Sequence, residues 1–109
     1  MNLPILWTPI ALLSLSEVFE YTYEEFGELQ LRKLTSQIYS VTRRIATFPH
    51  LGKSETELFE ATGINYRSIV VISKIKLLYT ISDDTLFIEY VKNSNMDDAT
   101  MLEKIMNNE

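Results

Sequence analysis

Apolar residues recur at steps of three and four along Leu31, Leu34, Ile38, Val41, Ile45 and Phe48, which is one continuous stripe on a helix. Phe48-Pro49-His50-Leu51-Gly52 ends that helix. Proline has no N–H to extend the ladder and drives the residue before it away from helical angles. An earlier helix is predicted from Thr8-Pro9, because threonine caps free amides and proline suits the first helical position. Ala11, Leu15, Val18, Thr22 and Phe26 follow at helical spacing, and Gly27 supplies a break suited to a helix C-terminus. So short a link makes the two helices an antiparallel hairpin.

Beyond Gly52 the period changes to two. Ile75, Leu77, Tyr79 and Ile81 alternate with Lys76, Leu78, Thr80 and Ser82, the spacing of a strand. Tyr66–Val71 before it and Leu86–Lys92 after it complete an antiparallel meander, with a turn at Ser82-Asp83-Asp84. Pro4–Trp7 reads as a short edge strand. Thr56–Glu60 reads as a short strand or an extended loop, and Gly63-Ile64-Asn65 as a turn. The stretch 97–109 reads as a short helix around Ala99–Met106 or as a frayed end. The expected fold is α+β in a single domain over 1–109: an N-terminal strand and an antiparallel helix hairpin packed on an antiparallel β-sheet, in the order β-α-α-β-β-β. The hairpin covers the sheet's apolar face.

Composition narrows the chemistry. At 109 residues and 46% hydrophobic the chain can build one core. Ten basic against fifteen acidic residues give a net charge of -5, so any face for nucleic acid must be local. With no cysteine there is no disulfide and no thiolate metal site. The lone His50 cannot form a His-His pair or a His-rich cluster, so neither a metal nor a cofactor is expected. Leu3–Leu15 is apolar, but no Lys or Arg precedes it, Pro4 and Pro9 interrupt it, and no small-residue cleavage site follows. It is also too short to span a bilayer. The expectation is folded protein, soluble and cytoplasmic, with no membrane partner.

Charge is divided between the helices. Glu17, Glu20, Glu24, Glu25 and Glu28 fall to the first, and Arg32, Lys33, Arg43 and Arg44 to the second. This is either a basic strip for a nucleic acid or acidic partner, or cross-helix ion pairing in which each pair contributes little. Pairing is the expected arrangement.

Several segments together carry a family resemblance. They are Leu6-Trp7-Thr8 with Ala11, Leu15, Val18 and Tyr21; Phe48-Pro49-His50-Leu51-Gly52; Tyr66-Arg67 ahead of a strand; Lys76–Ile81; and Asp83–Ile88. Their order and spacing, from Trp7 to about Asp97, resemble the RelE/ParE superfamily, the small toxins of bacterial type II toxin–antitoxin operons. The resemblance implies the fold above and an antitoxin whose C-terminal segment wraps over helices and sheet. Such a segment docks by burying apolar side chains in grooves. Leu12, Leu13, Phe19, Tyr23 and Tyr39 lie off the main stripes and are the candidate contacts. The alternative is their burial by a rotated helix. Exposed apolar patches favour association, so the isolated chain is expected to be less soluble than its complex.

Ribonuclease members of the superfamily cut messenger RNA on the ribosome with basic and tyrosine side chains on the sheet. That chemistry needs a proton acceptor, a donor to the leaving oxygen and cations for the charged phosphorane. The candidate catalytic residues here are Arg67, Lys74, Lys76 and Tyr90, with Lys53 and Tyr79 as companions. Members often carry an arginine near the end of the last strand. In Val91-Lys92-Asn93-Ser94-Asn95-Met96-Asp97, Asn95 stands in its place, and asparagine supplies no cation. Each candidate has a plainer reading: Arg67 paired with Glu57 or Glu89, Lys74 and Lys76 as strand-edge charges, Tyr79 as packing, His50 as a solvent-facing turn residue. The missing arginine, the long second helix and the acidic balance favour the ParE-like branch, whose members poison DNA gyrase. The alternatives are a ribonuclease acting on ribosome-bound messenger RNA and a non-toxic member that only binds its antitoxin.

Overall fold

The computed structural model describes residues 2–107. Its elements run β1 (Ile5–Trp7), α1 (Pro9–Phe26), α2 (Glu28–Thr47), β2 (Lys53–Ser54), α3 (Thr56–Thr62), β3 (Arg67–Ile72), β4 (Ile75–Ser82), β5 (Thr85–Asn93) and α4 (Asp98–Met106). The fold is α+β. Thr8 caps α1 by accepting a hydrogen bond from the Ala11 N–H at 3.1 Å.

Gly27 joins the helices alone. Its φ of +85° is costly for a residue with a Cβ. Its N–H closes α1 on the Tyr23 carbonyl at 3.0 Å, and its own carbonyl opens α2 by accepting from Leu31 at 3.2 Å. Glu28 therefore starts α2 rather than ending α1, and it pairs with Arg32 one turn on at 2.9 Å. Among the described residues no ion pair crosses from α1 to α2. The expected cross-helix pairing does not form, because Glu17, Glu20, Glu24 and Glu25 and the four α2 cations all sit on solvent-facing turns.

Beneath the hairpin lies the larger core. Ala11, Leu34, Ile38, Val41 and Ile45 pack on Val71, Leu77, Tyr79, Leu86, Ile88 and Val91. Phe26 and Phe48, at helix ends, are exposed instead. The strand order is β1-β5-β4-β3-β2. The β3–β4–β5 meander is antiparallel as expected, whereas β1 runs parallel to β5, pairing Ile5 with Leu86 and Trp7 with Ile88, so the sheet is mixed.

Adjacent strand residues face opposite sides, and Leu78, beside Leu77, belongs to a second core with Leu58, Tyr66, Tyr90 and Met101. Two helices cover that side. One is α3, in place of the expected strand or loop. Phe59 donates to the Glu55 carbonyl at 3.0 Å, and Gly63 closes the helix on Phe59 at 2.7 Å. Burial of Leu58 under this turn holds it against the sheet. The other is α4, capped by the Asp97 carboxylate, which accepts from the Thr100 N–H at 2.7 Å. The hydrogen bond from the Thr100 backbone is the main cause that holds the Asp97 carboxyl below the ordinary value. The expectation for 97–109 extends to residues 108–109, which lie outside the described residues.

A bulge sets the orientation of β5. Leu78 pairs with Tyr90 while Tyr79 pairs with Ile88, leaving Glu89 as the extra residue. The insertion reverses the alternation, so Tyr90 faces α4 and Val91 faces the hairpin. A bulge disrupts the ladder and leaves backbone groups seeking partners. Here α1 supplies one: Ser14 Oγ accepts from the Val91 N–H at 2.9 Å while donating to the Ala11 carbonyl at 2.8 Å.

Candidate functional site

Two surfaces have the chemistry to meet a partner: a polar groove on the α3–α4 side of the sheet, and the outer face of the helix hairpin. The groove encloses about 320 Å³ and is lined in part by Lys53, Glu55, Ser68, Lys76, Lys92 and Asp98. Its charges are largely committed. Lys92, whose side chain is mostly buried, donates to Asp98 at 2.6 Å. Lys53 stands 4.0 Å from Glu55, and Ser68 donates to the same carboxylate. Lys76 is the one groove lysine without an ion-pair partner among the described residues. It lies directly across from Lys92 on β5, and β4 is the central strand rather than an edge.

Of the proposed catalytic residues only Lys76, with its companion Lys53, lines this groove. Arg67 lies at the other side of the sheet, paired in register with Tyr79. Its guanidinium donates to the carbonyls of Gly52 at 2.7 Å and His50 at 3.3 Å, not to Glu57 or Glu89. Glu89 is engaged elsewhere, accepting from Thr80 at 2.7 Å. Lys74 sits in the β3–β4 turn, beside a separate hollow of about 360 Å³ lined by Tyr21, Phe26 and Ile75 among others. Tyr90 is buried in the second core, and burial, with Glu17 nearby, raises its pKa above the ordinary tyrosine value. A buried, protonated phenol against Met101 is packing, not an available proton acceptor. Asn95 is exposed, its N–H turned back onto Asn93.

Tyr79 has a structural task. Its hydroxyl donates to the Pro49 carbonyl at 2.7 Å and accepts from the Gly52 N–H at 2.9 Å. Together with Arg67 it pins the Pro49–Gly52 turn to the sheet. A Cβ on Gly52 would lie 2.5 Å from that hydroxyl and 2.9 Å from the Ser68 carbonyl. Glycine is needed for this approach. Burial raises the Tyr79 pKa, against lowering contributions from Gly52 and Arg67.

On the hairpin, Leu12, Leu13, Tyr23 and Tyr39 are exposed. Phe19 is not among them. It is half-buried against the larger core. Residues the sequence reading missed are Ser14, Glu55, Ser68 and Asp98. Only Lys92 and Asp98, six apart across the β5–α4 junction, left a sequence-level hint of pairing.

The family described as the ParE toxin of type II toxin–antitoxin systems, parDE, matches residues 5–97. The chain belongs to the ParE toxin family. A chain of the chromosomal ParDE TA system from P. aeruginosa has a similar fold, with a TM-score of 0.67 at 13% identity, over 84% of this chain and 96% of that one. A chain of the YoeB-YefM complex from Staphylococcus aureus is similar at a TM-score of 0.50 and 22% identity, over 84% and 97%. No curated protein matches the sequence significantly. The ParE match stops at Asp97, so α4 lies outside the matched region. Among the described residues no helix is long and apolar enough to cross a membrane, and no group of three His, Cys, Asp or Glu could hold a metal ion.

Proposed function

We propose that this ParE family member is the toxin of a type II toxin–antitoxin pair, active in the bacterial cytoplasm, and that it acts by binding DNA gyrase. Family membership supports the toxin assignment. The fold shared with chains of a ParDE system and a YoeB-YefM complex supports a cognate antitoxin as partner. One observation favours a binding toxin over a nuclease. Of the candidate side chains for phosphodiester cleavage, Arg67 is held by two backbone carbonyls and Tyr90 by the core, and Lys74 and Lys76 lie at separate hollows. Stabilising a phosphorane requires cations free to turn toward it.

Induced expression without antitoxin tests the proposal. Growth arrest with protein-linked DNA breaks and intact messenger RNA is the expected result; intact DNA with shortened messages refutes it. The ribonuclease reading retains one favouring observation, Lys53, Lys76 and Lys92 around a single groove. Full toxicity in a Lys76→Ala variant would exclude that reading. If induction leaves growth unaffected while antitoxin affinity is retained, the protein is a non-toxic antitoxin binder.

A further inference from the structure

Antiparallel register sets two lysines face to face on the α3–α4 side of the sheet. Lys76 on β4 is the direct partner of Lys92 on β5, and both line the groove to which α4 contributes Asp98 and Met101. Directly opposed residues of an antiparallel pair hold their Cβ atoms about 5 Å apart, and like charges placed there repel. Water screens little of that repulsion at Lys92, whose side chain is only 18% exposed. Asp98, at the start of α4, answers half of it: its Oδ1 lies 2.6 Å from Lys92 Nζ. Lys76 has no ion-pair partner among the described residues. Two ammonium groups therefore share one carboxylate.

We propose that Lys76 and Lys92 form a site for the dianionic phosphate of a small monoester, with Asp98 standing in for that ligand until it binds. A phosphate monoester carries about 1.5–2 negative charges at neutral pH on three oxygens around one atom, so it meets both ammonium groups at once. Asp98 meets one. Binding exchanges the Lys92–Asp98 hydrogen bond for one from Lys92 to phosphate, adds a second from Lys76, and cancels the repulsion across the strands. Asp98 then turns to solvent, where its side chain is already 39% exposed. Ser54 and Thr56 line the same groove and carry hydroxyl donors that suit phosphate oxygens.

Charge and shape select this ligand over other anions. A carboxylate or a phosphodiester carries one negative charge, so it offers Lys92 no more than Asp98 already gives. A dicarboxylate carries two but divides them between separate groups, each of which would serve a single lysine. The other charged groups at the groove do not alter this balance: Lys53 and Glu55 face one another at 4.0 Å, and Glu57 on α3 is exposed. At about 320 Å³ the groove falls in the range of small-molecule sites and has room for the organic part of the ester.

Calorimetric titration of the full chain with adenosine monophosphate tests this, against inorganic phosphate, sulfate, malonate and the cyclic diester of the same nucleotide. The monophosphate is expected to bind, and the cyclic diester and malonate are not. Binding tighter than that of inorganic phosphate makes the ligand a nucleotide; equal binding makes it the phosphate group alone. Lys76→Gln is expected to weaken binding about tenfold, the worth of one charge-assisted hydrogen bond. Asp98→Asn, which removes the stand-in, is expected to strengthen it several-fold, each variant being checked first for an unchanged melting temperature. The second ionisation of a phosphate monoester falls at about pH 6, where ordinary carboxylates and lysines do not titrate, and the lone His50 does not line the groove. Binding of the monophosphate should therefore weaken between about pH 7.5 and about pH 5, while binding of sulfate, a dianion throughout, holds. Failure of both the unaltered chain and Asp98→Asn to bind monophosphate or phosphate overturns the proposal. So does equal affinity for the cyclic diester or malonate, undiminished binding in Lys76→Gln, or the same acid loss with sulfate.

Discussion

Replacing Tyr79 with phenylalanine removes one oxygen from a side chain with no solvent exposure. Two hydrogen bonds go with it, the donation to Pro49 at 2.7 Å and the acceptance from Gly52 at 2.9 Å. Gly52 is itself buried, so its N–H is left without a partner. Each net hydrogen bond contributes about 1 kcal/mol, and an orphaned buried donor about 1–3 kcal/mol, giving an expected loss of ~2–3 kcal/mol. That is a large share of the roughly 5–15 kcal/mol that separates a folded domain from its unfolded chain. It corresponds to a fall of about 10 °C in melting temperature and of about 1–2 M in urea midpoint at unchanged slope. Gly52→Ala attacks the same contact from the other side. In the Tyr79→Phe background the closest clash disappears, but the ring Cε1 at 2.7 Å and the Ser68 carbonyl at 2.9 Å remain. Alanine therefore stays costly there, with a coupling of about 1 kcal/mol between the two changes. Urea titration of the two single variants and the double variant measures all three quantities. A Tyr79→Phe loss below about 0.5 kcal/mol, the range of ordinary surface substitutions, would refute the claim that this hydroxyl holds the turn.

Three further outcomes are expected. Ser14→Ala strands the bulged Val91 N–H in the core and lowers stability by about 1–3 kcal/mol; a neutral result by urea titration would mean the bulge finds another partner. Met101→Ala empties the second core at a cost of about 2–4 kcal/mol, and hydrogen exchange should quicken first in α4; uniform quickening across the sheet would contradict its role as a local cover. Burial raises Tyr66, Tyr79 and Tyr90 above 10.0. A raised folded-state pKa contributes stability that is complete below the unfolded value and is lost as pH climbs through the folded one. Melting temperature should therefore fall on the alkaline side of about pH 10. A loss of stability there before any phenolate absorbance appears would rule out these phenols as its cause.

Elements with several turns or several alternations were readable in the sequence, because each repeat adds an independent sign of its period. Five apolar positions define α2, and four alternating pairs define β4. In contrast, α3 has seven residues and only one buried side chain, Leu58, too little for a period to show. β1 was recognisable as a strand, but no residue in it declares a parallel partner eighty positions away. The site was less legible for two physical reasons. Arg67 is held by backbone carbonyls, and every residue has one, so no sequence pattern could point to His50 and Gly52. Tyr90 changes sides because of one unpaired residue, Glu89, and inserting a residue into a strand leaves no compositional trace.

The pairing of Ile5–Trp7 with Leu86–Ile88 joins β1 to the third strand of the meander. During synthesis β1 has no strand partner until β5 has been made. Contacts so distant in sequence are also slow to form. A nascent chain must therefore remain open along this margin until β5 has emerged. Trp7 on that margin gives a direct optical signal for the moment β1 and β5 first meet.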